Sequence, residues 1–297
     1  MNESIRAAAV DLDSKPDDYD GNLAKIDAWC ARAAEAGAAL VLFPELSLGG
    51  FLPNHPQGDH AAWIREALAT ARRMARRIDS PEIAALAEVA KRHAITLSCG
   101  MLEDAGALLY NTQVLVEPTG LVSAFRKMHV PLFEMPFYQG GDAPSAVPAA
   151  GASVSVNICF DALLPESTRL SALAGAEFVL FPFAADPPPG TAAAWGEWAM
   201  PAVRARCVEN GVFGLAANYR GEVIACGVTQ RFPGGLFAVG PRGEVLAERL
   251  DESTDPQMLL VELSDADLAA ARAEPEFLFR FRRPELYGPL ADGGPSR

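Results

Sequence analysis

The sequence predicts an α/β fold, of the mixed α+β kind, organised as a single domain with helices covering its sheets. Three observations lead there. Apolar runs rich in Val, Ile and Leu alternate with helical patterns along the 297 residues. A Pro-x-Gly turn signal stands between short apolar runs in each half of the chain. No long linker divides it. Matching hairpins in both halves point to two similar sheets packed together.

Each element has its own justification. Residues 5–12 read as a first strand, and 22–36 as an amphipathic, alanine-rich helix stopped by Gly37. Residues 40–45 form a second strand. Ser80-Pro81-Glu82 opens a helix, with an N-cap serine and a proline at the first position. A strand follows over 95–101. Residues 109–117 and 121–126 flank Pro118-Thr119-Gly120 and make a hairpin. Next come a strand over 154–159, a helix over 165–174 ended by Gly175, and a strand over 178–183. A helix over 195–210 and a strand over 212–218 complete the alternation. Residues 236–239 and 245–248 flank Pro241-Arg242-Gly243, the second hairpin. Residues 1–280 are assigned to the domain. Residues 281–297, polar and proline-rich, are assigned to a C-terminal arm.

Composition removes several function classes. Half the residues are hydrophobic and 21% are charged, as expected of a folded protein with a substantial core. A net charge of −13 argues against nucleic acid or an anionic membrane as partner. The one basic cluster, Arg65, Arg72, Arg73, Arg76 and Arg77, falls on a predicted helix and reads as a solvated face. No apolar run approaches the ~20 residues of a membrane span. The first residues lack a basic segment followed by a long apolar stretch, so no signal peptide is expected. Five cysteines, an odd number without a CxxC pair, speak against a disulfide framework or a structural zinc site. A cytoplasmic protein is expected.

Three apolar segments end on reactive groups. One closes on Glu45, one on Lys127 and one on Cys159. Acyl transfer by a thiol needs a nucleophile, a base for its proton and positive charge near the oxyanion. Cys159, Glu45 and Lys127 are of the right types in that order. Each also has a bland reading: a packing cysteine, a surface acid, the exposed end of an edge strand. His55 and His60, five apart without a third ligand, read as surface histidines.

The flanking residues resemble the nitrilase, or carbon–nitrogen hydrolase, superfamily in its amidase-like branch. Phe43-Pro44-Glu45-Leu46 with Gly49-Gly50-Phe51 is similar to its glutamate motif. Tyr110-Asn111-Thr112, Pro118-Thr119-Gly120 and Phe125-Arg126-Lys127-Met128-His129-Val130-Pro131 are similar to its lysine block. Ile158-Cys159-Phe160-Asp161 with Pro165-Glu166 is similar to its nucleophile block. The resemblance runs from Ile5 to Tyr287. It implies a four-layer αββα sandwich of two mixed sheets, with Glu45 as general base, Lys127 as oxyanion stabiliser and Cys159 as nucleophile. Glu134 matches the family's second glutamate; a mere loop acid is the alternative. His129 would orient its loop.

The same resemblance implies hydrolysis of a linear amide through a cysteine thioester, with no metal or organic cofactor. Phe160-Asp161 after the cysteine resembles the amide-cleaving branches rather than nitrile-cleaving ones. Ala162, Leu163 and Leu164 stand where carbamoylases carry arginines for a substrate carboxylate. A neutral, moderately apolar amide is therefore expected, in a pocket of Phe51, Phe133, Phe160, Phe183 and Trp195. N-carbamoyl or nitrile hydrolysis is the alternative. A catalytically silent scaffold of the same fold is a further one, but a scaffold has no need of all three reactive residues. Asp186-Pro187-Pro188-Pro189-Gly190 either shapes the pocket entrance or forms a rigid surface turn. A homodimer or larger homo-oligomer is expected, with Phe277, Leu278, Phe279 and Phe281 buried between copies.

Overall fold

The computed structural model describes residues 1, 4–54 and 59–291. His55 and the tail beyond Ala291 lie outside them. In chain order the elements are β1 (Ile5–Val10), α1 (Tyr19–Glu35), β2 (Leu40–Leu42), α2 (His60–Met74), α3 (Pro81–His93), β3 (Thr96–Asp104), β4 (Leu109–Glu117) and β5 (Gly120–Arg126). Then follow β6 (Val147–Ala149), β7 (Ala152–Val156), α4 (Pro165–Leu173), β8 (Phe178–Phe183), α5 (Ala192–Asn210) and β9 (Phe213–Asn218). The last are β10 (Arg220–Ala225), β11 (Val228–Pro233), β12 (Leu236–Val239), β13 (Val245–Arg249), β14 (Met258–Leu263), α6 (Asp265–Ala273) and α7 (Gly288–Ala291).

Two six-stranded mixed sheets form the centre, in the orders β14-β1-β2-β3-β4-β5 and β13-β12-β9-β8-β7-β6. Alternation along the strands decides which face meets what. On β1, Ala7 and Ala9 join the core shared with the second sheet. Ala8 and Val10 turn to a separate core with Ile26 and Cys30 of α1 and Ile83, Leu86 and Val89 of α3. On the far side, Trp195, Ala199, Val203 and Cys207 of α5 pack against the second sheet. The layers are helix, sheet, sheet, helix: the αββα sandwich. A third cluster, around Phe51, Trp63, Tyr219 and Phe232, packs α2 and the β10–β11 ribbon together.

Local details differ from the sequence reading in instructive ways. Both expected hairpins form, β4 with β5 and β12 with β13, each antiparallel. Ser80 takes the N-cap place of α3 with extended backbone, but its hydroxyl caps no N–H. The strands before Glu45 and Cys159 stop early, at Leu42 and Val156, so both residues sit on turns rather than in strands. Arg65, Arg72, Arg73 and Arg77 are exposed. Arg76 leaves that solvated face: it pairs with Glu82 at 2.7 Å and lies over the Tyr19 ring. His60 is exposed at the start of α2.

Candidate active site

Glu45 follows β2 on a turn that lies across β3. Only a glycine allows the crossing: a Cβ on Gly100 would stand 2.1 Å from the Leu46 nitrogen. Leu46 itself takes a φ of 54°, in the left-handed region. Phe43 N–H donates to Ser98 O at 2.8 Å, and the Gln113 amide donates to Phe43 O at 3.0 Å, fixing the turn. The Glu45 carboxylate is fully buried. Its Oε1 accepts from Lys127 Nζ at 2.8 Å and Asn111 Nδ2 at 2.6 Å, and its Oε2 accepts from Ala184 N–H at 2.8 Å.

Lys127 comes one residue after β5, and its backbone N–H donates to Asn111 O at 2.8 Å. Its ammonium, also fully buried, donates to Glu134 Oε2 at 2.8 Å as well as to Glu45. Burial alone would push this ammonium down, yet the Glu134 and Glu45 carboxylates hold it well above the usual lysine value. Glu134, in a turn closed by its own N–H to Pro131 O, is pushed up to about 7 by burial, with Lys127 opposing and Glu45 adding to the rise. The lysine is therefore charged at neutral pH. Both carboxylates depend on it: removing one partner of a buried ion pair costs roughly 3–5 kcal/mol.

Cys159 opens a 3-10 turn over Cys159–Leu163, with a φ of 49°. A left-handed conformation at a residue with a Cβ costs about 1–2 kcal/mol, so neighbouring contacts must offset it. Asp161 supplies them, its carboxylate accepting from Ile158 N–H at 3.1 Å. The same carboxylate accepts from Met128 N–H at 3.2 Å, His129 N–H at 2.9 Å and His129 Nδ1 at 2.9 Å. His129 is raised above the ordinary histidine value, chiefly by this bond to Asp161. Burial pushes the Cys159 thiol well above its ordinary range, and Glu45 adds to the push, against Lys127 and the Ala184 N–H. The thiol is neutral at rest and needs a base.

A cavity of about 330 Å³ opens onto these groups. Cys159 and Glu134 line it, together with the apolar Phe133, Phe160 and Trp198 and the polar Asn54, Gln230 and Asp186. Ala185, Asp186, Pro187 and Pro188 also border it, so the proline-rich stretch shapes the pocket. Of the five expected pocket residues, Phe133 and Phe160 are there. Phe51, Phe183 and Trp195 are not: they are 0–1% exposed and belong to the core. Trp195 packs on Phe183 and Phe237, and Phe51 on Tyr219 and Phe232. Trp198, one turn along α5 and 40% exposed, takes the place expected of Trp195.

Asn111 and Asp161 stand within the motifs quoted above, where neither carries an assigned task. An asparagine inside the buried strand β4, and an acid two residues after the thiol, are the available signals. Asn54 and Gln230 left no signal, because their meeting is purely tertiary: Asn54 N–H donates to Gln230 Oε1 at 3.1 Å.

A thiol on a strained turn, facing an ammonium held between two carboxylates inside an αββα sandwich, marks a hydrolase-type site. Comparison with known proteins agrees. The Carbon-nitrogen hydrolase model matches residues 6–273, and the chain belongs to that family, within the nitrilase superfamily. It is 28% identical to a nitrilase of Pyrococcus abyssi, over 95% of this chain and 99% of that one. It is 30% identical to an (R)-stereoselective amidase of Pseudomonas, over 80% and 78%. Among solved structures, a glutamate-to-glutamine mutant of the amidase of Nesterenkonia sp., carrying the acetamide moiety of fluoroacetamide at its active-site cysteine, aligns with a TM-score of 0.71 and 27% identity, over 97% of each of the two chains.

Proposed function

We propose that the protein hydrolyses the C–N bond of a neutral, moderately apolar linear amide through a thioester on Cys159. The observation that carries this reading is the buried Glu45–Lys127–Glu134 set beside a thiol that is neutral at rest. Because the thiol holds its proton, attack on the carbonyl carbon must pass that proton to a base, and Glu45, which shares the Ala184 N–H with the thiol, is that base. The Lys127 ammonium, with the Phe160 N–H, which has no acceptor inside its own turn, stabilises the oxyanion. Collapse breaks the C–N bond, and the nitrogen leaves as ammonia with the proton from Glu45. Water, deprotonated by Glu45, then attacks the thioester; the acid departs and the thiol regains its proton.

Phe133, Phe160 and Trp198 suit an apolar acyl group. Neither Arg nor Lys is among the described residues lining the cavity, which disfavours a substrate carboxylate. In the Nesterenkonia amidase the acetamide moiety of fluoroacetamide is added to the active-site cysteine, which supports a nucleophilic role for Cys159. Five free cysteines fit a cytoplasmic setting. The test is an ammonia-release screen over amides, nitriles and N-carbamoyl compounds, with quenched samples weighed for an acyl adduct on the Cys159 peptide. Turnover of an amide with that adduct is the expected result. Turnover of nitriles or N-carbamoyl compounds alone would replace the substrate class, and turnover without the adduct would remove the thioester.

A further inference from the structure

We propose that Asp161 is a positioning residue: one buried carboxylate that clamps the lysine-bearing loop to the cysteine-bearing turn and so fixes Lys127 against Cys159. The inference rests on the amide-hydrolase reading for its kinetic arm only. Asp161 is 1% exposed and accepts four hydrogen bonds, two on each oxygen. Oδ2 takes the Ile158 and Met128 N–H groups, and Oδ1 takes the His129 N–H and ring nitrogen Nδ1. The donors thus lie one residue before the thiol and one and two residues after the ammonium. They belong to different sheets: the cysteine turn follows β7 and the lysine loop follows β5.

The backbone of Asp161 closes the same turn, its N–H donating to Ile158 O at 3.0 Å. The carboxylate therefore sets both the strained turn and its distance from the loop. Among the described residues, Lys127 is otherwise tied through its backbone to Asn111 O and Gly141 N–H and through its ammonium to Glu45 and Glu134, none of them in the cysteine turn. Among the described residues, no other side chain accepts hydrogen bonds from both segments. On the solvent side, His129 Nδ1 also meets Ser167 Oγ at 3.3 Å, and Glu166 lies near enough to raise its protonation.

Asp161→Asn keeps one oxygen but turns an NH2 group toward two of the four donors. Misplacement on the scale of 1 Å can cost about 10²-fold in rate. We expect kcat per folded molecule to fall by about that factor with KM changed less than about threefold, circular dichroism reporting the folded fraction. A purely structural role would instead leave kcat per folded molecule unchanged, and a value within about twofold of the parent overturns the inference. His129→Ala removes one donor of four and should lower kcat by a few-fold only. Hydrogen exchange gives a second arm that needs no substrate. In Asp161→Asn, the 127–130 loop and the 158–163 turn should both exchange faster, in a correlated way. Faster exchange in the turn alone would show that the carboxylate couples nothing, and would overturn the inference even if no amide is a substrate. Loss of amide turnover in the parent itself is a failure of the functional reading, and leaves this arm decisive.

Discussion

The two sheets are built to one plan and used for different ends. Read from β14 to β5, strand pairs run antiparallel, parallel, parallel, antiparallel, antiparallel; read from β6 to β13, the sequence of pairings is the same. Corresponding strands are then β1 with β7, and β2 with β8. Directly after β1 the chain places Asp11; a few residues after β7 it places Cys159. After β2 comes Glu45, and after β8 comes Ala184, whose N–H binds that very carboxylate. Asp11 accepts from Arg220 Nε at 2.9 Å and Nη2 at 2.6 Å and from Gly235 N–H at 3.1 Å. One strand end carries a structural clamp and its counterpart the thiol proposed as nucleophile. Neighbouring places in two sheets of the same pairing order do not carry the same chemistry; the donors around each end decide.

The contrast is broken most sharply at those two ends. Cys159→Ala should remove hydrolysis to background, a loss on the order of 10⁶-fold as for other nucleophile deletions, while the melting temperature stays near the parent's. Asp11→Ala should do the reverse, leaving Arg220 buried and unpaired at a cost of about 3–5 kcal/mol, with turnover per folded molecule retained. Amidase assays and thermal melts on both purified variants read the contrast. Substantial turnover in the first would take Cys159 out of the mechanism.

Lys127→Arg tests whether charge alone is enough on the first-sheet side. The guanidinium is broad and planar, whereas the ammonium is compact and already holds Glu45 and Glu134 at 2.8 Å each. A fall in kcat on the order of 10²–10³-fold is expected. Near-normal kcat would mean that bulk positive charge suffices.

Much of this was legible beforehand, and the gaps have physical causes. Continuous apolar runs with turn signals gave Phe178–Phe183 and Leu236–Val239 as they stand, because local pattern and burial agree there. The strand ends near Glu45 and Cys159 were overrun, since what stops them is tertiary: the notch at Gly100 and the clamp at Asp161. The antiparallel pairing of β14 with β1 joins residues some 250 apart, which no local pattern announces. Phe183 and Trp195 were expected in the pocket because sequence shows that an aromatic is near a strand end, not which way its ring turns.

Glu134 distinguishes the two halves by pH. Its folded value of about 7 lies above the ordinary 4.5, so the folded state keeps this proton where the unfolded chain has lost it. Stability from this group is complete below about 4.5 and drains away as pH rises to about 7. Glu134→Gln removes the drain. The parent's melting temperature relative to that variant should fall by a few degrees between pH 5 and pH 8. Parallel curves would show that Glu134 ionises normally.

The smallest effect on chemistry is expected from the tail, which lies on the second-sheet side. Phe277 and Phe279 pack on their own subunit: the rings stack 5.9 Å apart, Arg169 covers Phe279, and Phe277 lies against Gly211. That accounts for two of the four residues expected between copies. Leu278 and Phe281 remain 51% and 64% exposed, and Leu286 and Leu290 beyond them 61% and 69%. Four large apolar side chains on one short segment form a patch that favours a protein surface over water, and we propose that a second copy of the chain covers it. None of the described tail residues borders the cavity at Cys159. A chain ended before Glu276 should therefore keep turnover per subunit within about twofold while its oligomer dissociates in light scattering. A full-length species near 31.5 kDa would sink the oligomer, and an unchanged oligomer after truncation would move the interface to another face.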